Sequence, residues 1–526
     1  MFMKRFLSGV VLLCAPLFMF GQQRGQDASQ LEMALRKLSM AQLAISNLYV
    51  DSVDTGKLTE DAINGMLSSL DPHSSYTNAE ETKKLNEPLQ GNFDGIGVQF
   101  NMLEDTLVVI QTVTKGPSEK VGIVAGDRIV NVNDTAIAGV KMSREDIMHR
   151  LRGPRGTKVK LGIIREGVDG VIDFMVTRDK IPVSSVDASY MVTPTVGLIR
   201  LTSFGSTSHD EIMKAMDALR KEGMKDLILD LQQNGGGYMD AATSIANEFL
   251  DKGDLIVYTQ GLRAPYQEFR ANGSGSFKEG KVVVLVDEYS ASASEIVTGA
   301  IQDHDRGLVV GRRTFGKGLV QKPFMLPDGS MIRLTVARYY TPSGRCIQKP
   351  YTKGDKKSYN MDVVERYNRG ELINADSIHF PDSLKFKTLR KQRVVYGGGG
   401  IMPDYFIPID TNRYTKFRRE LVAKGAVISA SLKYVDKHRK ELKKKYETFK
   451  KFRKEFEVPQ ELVDLVISEG EKKNVKPKDD EELQATLPEL KQQMKALLAR
   501  DLWDMSEYFS IIYEDDPAVL KALELL

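Results

Sequence analysis

The chain is predicted to be a multi-domain protein of mixed α/β class, and three observations predict it. At 526 residues it is longer than one ordinary hydrophobic core organises, so several folding units are expected. From residue 196 onward, short, mostly apolar strand-like runs alternate with helical patterns, as in a layer of parallel strands buried on both faces. Between about 89 and 179 the apolar runs are shorter and broken by glycine, the pattern of a small β-rich module. With 41% apolar and 28% charged residues the composition is that of a globular protein. Lys+Arg at 74 against Asp+Glu at 71 leaves no overall field that would draw nucleic acid, and no nucleic-acid partner is expected.

The elements follow in order. Lys4 and Arg5 precede an apolar run from Phe6 to Phe20 that ends at Gly21, which predicts an export signal over 1–22 and an exported, periplasmic protein. An uncleaved anchor is the alternative, and it would place the protein near a membrane. Of the two cysteines Cys14 lies in this leader, so Cys346 stands alone and neither a disulfide nor a cysteine-based metal site is expected. Leu31, Leu35, Leu38 and their neighbours at helical spacing predict a helical region over 27–88. Its second helix opens at Thr59 and stops near Leu70, at the turn cluster Asp71-Pro72-His73-Ser74-Ser75. The β-rich module, 89–179, holds one helix over 143–151 with Ser143 as its cap.

The α/β unit is expected over 180–415, with strands at 196–201, 226–231, 281–286 and 308–311. Helices are predicted at 209–222, 240–250 and 292–301. Residues 351–395 are polar with little periodicity and read as an insertion or mobile loop. Residues 416–526 read as helices, with a charged linker at 470–483; these helices leave homo-oligomerisation open. A basic stretch at 437–454 is interleaved with Glu and Tyr, which favours a solvated helical face.

Chemistry concentrates in three turns. Ser290-Ala291-Ser292-Ala293-Ser294 leaves an apolar strand and opens a helix, where a serine can be exposed as a nucleophile and backbone N–H groups can meet an anion. A plain helix cap is the competing reading. Such a serine needs a proton acceptor. His304 lies twelve residues on, beyond the far end of the helix that Ser292 begins and too far to reach it, while His209 stays open. Lys317, in Thr314-Phe315-Gly316-Lys317-Gly318, follows another buried strand; burial there would favour the neutral amine, a usable base. Gln321 could hold that amine without adding charge, whereas an acidic neighbour would raise its pKa. Asn234-Gly235-Gly236-Gly237 follows a third buried strand and offers N–H groups suited to an oxyanion hole.

Together and in this order, the three turns resemble the C-terminal processing (tail-specific) serine protease family. The middle serine is Ser292, and Lys317 follows it at the 25-residue spacing of the family pattern (317 − 292). The match extends from about 40 to 345 and to Gly400-Ile401-Met402-Pro403-Asp404, and it includes the Ala62–Tyr76 segment. The resemblance implies Ser292 as nucleophile, Lys317 as general base and Gln321 as its positioner. It implies an oxyanion hole from the N–H of Ala293 with Gly236 or Gly237, an acyl-enzyme, and no metal or organic cofactor. Gln232 and Gly235 stand where the family commonly has arginine and proline.

The module at 89–179 resembles a PDZ domain, with Gly95-Ile96-Gly97-Val98 as the loop that receives a terminal carboxylate. Ile147 and Leu151 are candidates either for its peptide pocket or for its core. The resemblance thus implies protein substrates with accessible apolar C-termini, in a bacterial periplasm. A PDZ adaptor without catalysis, or a Ser–His hydrolase using His209 or His304, are the alternatives.

Overall fold

A computed structural model describes residues 11–411 and 413–526, with side chains described from residue 29 on. The first ten residues of the leader expected over 1–22 lie outside them. Among the described residues no helix is long and apolar enough to cross a membrane.

The expected α/β layer is present as a six-stranded sheet. Its order is Val186–Met191, Val196–Leu201, Asp226–Asp230, Val282–Val286, Leu308–Gly311, Tyr405–Phe406. The first strand pairs antiparallel and the others run parallel. Side chains alternate between its faces. Ile199, Leu201, Leu229 and Val284 share one apolar cluster with residues of the helices Ser208–Glu222, Met239–Asn247 and Ala293–Asp303. Leu198, Ile228, Val283 and Leu285 cluster instead with Tyr513, Ala518, Val519 and Ala522. Three of those four lie in the helix Pro517–Leu525, so the chain's own end buries the second face of the central sheet.

A second sheet stands beside the first. Its long strand Met331–Tyr340 pairs with Ser75–Thr77, Leu255–Gln260 and Leu319–Met325. The β-rich module is a separate body with its own core, built on the sheet order Val98–Leu103, Thr106–Thr112, Arg128–Val132, Lys158–Ile164, Ile172–Thr177. Its helix Arg144–Leu151 is capped by Ser143, as expected. Ile147 and Leu151 are 0% and 3% exposed in that core, so they pack the module and do not line a pocket.

The segment 351–395 corrects the sequence reading. It carries the helix Lys356–Asn368 and a short hairpin of Lys385–Lys387 with Val394–Tyr396, so it is neither irregular nor a mobile loop. Its polar residues turn inward and pair. Arg366 is fully buried, donating to the carbonyls of Arg313 and Thr314, and Glu371 binds Arg313 and Arg369. Periodicity of apolar residues cannot signal a segment held by buried polar contacts.

The C-terminal helices enclose a further apolar core. Their basic stretch is solvated and paired, for example Lys437 with Glu461 and Arg453 with Glu514. Charged contacts also tie the β-rich module to its neighbours: Arg128 with Asp436 and Lys433 with Glu104 on one side, Lys84 with Glu145 and Arg152 with Glu87 on the other.

Candidate active site

Two turns at the carboxyl ends of neighbouring parallel strands build the site. After Val282–Val286 the chain turns through Asp287, whose carboxylate accepts from the N–H groups of Gln233, Tyr289 and Ser290. After Asp226–Asp230 it turns through Asn234, whose carbonyl accepts from Ala291 N–H and from Ser294 Oγ. The two turns are thereby laced together. Gly236, at φ +101°, lies against the serine turn so closely that a Cβ would fall 2.8 Å from that of Ser292. Only glycine meets both demands.

Ser292 itself sits at φ +56°, ψ −112°, outside the regions that L-residues ordinarily occupy, at the start of the helix Ala293–Asp303. Such a conformation costs about 1–3 kcal/mol and persists only where its surroundings impose it. Glu295 is a large part of those surroundings. Fully buried, it accepts hydrogen bonds from Ser292 N–H at 2.8 Å, Gly316 N–H at 2.7 Å, Lys317 N–H at 2.9 Å and Thr314 Oγ at 2.6 Å. One carboxylate therefore fixes the backbones of both the candidate nucleophile and the candidate base. Tyr339 does the same from the carbonyl side, its hydroxyl shared between the oxygens of Ser292 and Lys317.

Ser292, Lys317, Ala293, Gly236, Gly237 and Gln321 line a single cavity of about 490 Å³. Burial lowers the pKa of Lys317 to about 8, helped by the positive charge of Arg333 and opposed by Glu295 and Asp71. Burial drives Glu295 the other way, up to about 7, although its four donors favour the ionised form. The acidic neighbour that would spoil a lysine base is thus present, and desolvation outweighs it.

Among the described residues no hydrogen bond joins Ser292 Oγ to the Lys317 amine. Gln321 does not hold the amine either. Its Nε2 reaches Thr335 Oγ at 3.5 Å, and Thr335 donates onward to Asp71 at 2.8 Å. The oxyanion candidates separate too. Gly236 N–H is taken by Asn234 Oδ1 at 2.9 Å, whereas the N–H groups of Gly237 and Ala293 have no acceptor among the described residues. The histidine alternatives are not supported by the geometry. His209 bonds Glu248 at 2.9 Å and His304 bonds the carbonyl of Leu255 at 2.7 Å; neither lines the cavity.

Sequence reasoning missed Glu295, Tyr339, Asp71 and Arg333. Glu295 had a visible signal, because Ser-x-x-Glu at a helix start is a capping-box pattern. The others come from distant strands and turns that only the fold brings together.

In the β-rich module, the carbonyl of Ile96 accepts from Ser118 N–H and Oγ, and that of Gly97 from Val113 N–H. The N–H groups of Ile96 and Gly97 have no acceptor among the described residues, although both residues are buried. They lie at the start of Val98–Leu103, the free edge of the sheet, which is the place for an added strand.

Strand, turn and helix thus present a serine and a lysine in one cavity, beside a module with a free sheet edge: the fold and site of a serine peptidase joined to a PDZ domain. Family models agree, matching Peptidase family S41 at 195–358, a PDZ domain at 95–186 and the activating protease CtpB N-terminal domain at 19–82. A family of unknown function matches 417–504. The carboxy-terminal-processing protease of Bartonella bacilliformis is 38% identical over 57% of this chain and 69% of its own length. The carboxy-terminal processing protease CtpA of Bacillus subtilis is 35% identical over 71% of this chain and 79% of its own. The solved structure of the photosystem II D1 C-terminal processing protease is 31% identical, covering 59% of this chain and 89% of that one with a TM-score of 0.33. The chain belongs to the C-terminal processing protease family of S41 serine peptidases.

Proposed function

We propose that this peptidase is exported to a bacterial periplasm, captures protein substrates by their C-termini on the PDZ domain, and cuts them through Ser292 with Lys317 as base. The observation that carries the reading is a serine held at positive φ on a helix start, in one cavity with a lysine whose pKa is lowered to about 8. In the reaction, neutral Lys317 takes the Ser292 hydroxyl proton as Oγ bonds to the scissile carbonyl carbon. The resulting oxyanion meets the N–H groups of Gly237 and Ala293. Collapse breaks the C–N bond, and the leaving amine takes the proton from the Lys317 ammonium. Water then attacks the acyl-enzyme with Lys317 again accepting a proton; the C–Oγ bond breaks, Ser292 Oγ takes that proton back from Lys317, and the new C-terminus leaves as a carboxylic acid that ionises in water. No metal or organic cofactor takes part in these steps.

With no hydrogen bond between Ser292 Oγ and the Lys317 amine among the described residues, the reading is of a resting state that substrate completes. Gln321, which lines the same cavity, would leave Thr335 and join Lys317 in that active state.

The test is cleavage of an unfolded protein ending in apolar residues by chain lacking 1–22, with products read by mass spectrometry. Loss of cutting in Ser292→Ala and in Lys317→Ala, and weaker cutting of a C-terminally amidated substrate, are expected. Carboxylate-dependent binding without turnover would instead make the protein a PDZ adaptor, and full activity of Lys317→Ala would remove the lysine from the mechanism.

A further inference from the structure

The charged residues in the wall of the catalytic cavity are Lys317 and Arg333, and no carboxylate lines it. Arg333 is half-buried, yet its guanidinium has no ion pair and no hydrogen bond among the described residues. Three fully or nearly fully buried arginines of this domain are neutralised, Arg345 by Asp303, Arg313 by Glu371 and Arg200 by Asp230, and half-buried Arg306 is satisfied by backbone carbonyls. A guanidinium carries five donors, and withdrawing it from water without an acceptor is costly. Its effect on Lys317, second only to burial, places its charge close to the base.

Asp71, on the turn that leads into the strand paired with Arg333, is committed elsewhere. Asp71 accepts from Thr335 Oγ, His73 N–H and Ser74 N–H on one oxygen and from Ser74 Oγ on the other. Arg333 stands opposite Pro323 in the strand pair and two residues from Met331; both line the cavity, with Met325 and Leu319. On this side of the cavity Arg333 is an unpaired cation fixed on a strand among apolar neighbours, an arrangement suited to bidentate capture of a carboxylate.

We propose that Arg333 is a specificity-determining residue that reads a carboxylate on the substrate chain within a few residues of the scissile bond. That carboxylate is either an acidic side chain or the terminus of a short tail. The inference rests on the reading of Ser292 and Lys317 as the site of cutting.

The experiment digests a mixture of tryptic peptides from a bacterial proteome with chain lacking 1–22, and maps the cuts that vanish in Ser292→Ala. Asp, Glu or a chain end is expected at a fixed distance from those cuts. The best-cut peptide is then synthesised with that Glu as Gln (or Asp as Asn), and separately with an amidated terminus, which distinguishes the two sources. One replacement should lower kcat/KM by about tenfold or more, the range of a charge-assisted hydrogen bond. In Arg333→Gln the ratio of acidic to neutral peptide should fall to about one, and Arg333→Lys should keep part of it. Because the readout is a ratio, a general loss of activity in a variant does not imitate the effect. No enrichment around the wild-type cuts, or an unchanged ratio in Arg333→Gln, overturns the inference while leaving the peptidase reading intact. Absence of any Ser292-dependent cut overturns both.

Discussion

As the proposed base, Lys317 works only to the extent that it is unprotonated, and its pKa near 8 sets a sign that can be measured. Below that value kcat/KM should rise about tenfold per pH unit, then level off above it. Arg333→Gln removes a positive neighbour, so the midpoint should move upward; a profile centred near the ordinary lysine value of about 10.4 would contradict the assignment. Glu295→Gln tests the other half of the arrangement. An amide offers one acceptor oxygen where the carboxylate serves four donors, so buried N–H groups of Ser292, Gly316 or Lys317 lose partners. Urea unfolding should show a loss of about 1–3 kcal/mol for each buried donor left unpaired. At this scale the sequence was readable where chemistry is local: Ser292 and Lys317 stood out by their turns. Asp71 and Arg333 did not, since nothing in a short window tells that Ser75 and Arg333 will be cross-strand neighbours.

The two glycine-rich turns show how elements constrain residues. Gly237 lies at φ +154°, and a Cβ there would fall 2.2 Å from the carbonyl oxygen of Phe204. Gly237→Ala must shift that backbone and with it the N–H proposed to meet the oxyanion. The expected result is a fall of about a hundredfold in kcat, the scale of losing one oxyanion donor, with a smaller change in KM. Retained kcat would move the oxyanion hole elsewhere. The strands at 196–201, 226–230, 282–286 and 308–311 were legible because burial on both faces leaves few polar positions, such as the paired Arg200 and Asp230, to confuse the pattern. The helix Lys356–Asn368 was not, because buried Arg366 and Tyr359 anchor it, and polar anchors look like a loop in sequence.

For the whole molecule, the C-terminal helix Pro517–Leu525 packs on the protease sheet, more than two hundred residues along the chain from the side chains of Leu198, Ile228, Val283 and Leu285 that it covers. Ending the chain after residue 516 would uncover the face of Leu198, Ile228, Val283 and Leu285. Removing Ala518, Val519 and Ala522 from that cluster should lower stability by several kcal/mol, at about 1 kcal/mol per buried methyl or methylene lost, and lower the soluble yield. Sequence reading left these helices without a role because a face-covering helix carries no motif. The PDZ domain is attached in a different manner, through charged pairs to the helix Ala79–Leu89 and to the C-terminal helices. Asn86 and Leu89 of that first helix line the catalytic cavity, which gives the PDZ domain a physical path to it. Deleting 89–179 should therefore change both cutting rate and choice of substrate; unchanged values for both would exclude tail capture and gating together.

The central claim concerns one bond, between Ser292 Oγ and the carbonyl carbon of a substrate. Its most direct measurement is acid quenching of the enzyme during turnover of a peptide substrate, followed by mass spectrometry of the peptide that contains Ser292. The account predicts an acyl adduct on Ser292 that appears within the first turnover and is absent from Ser292→Ala. Steady cleavage with no adduct at Ser292, or an adduct on another residue, would contradict it.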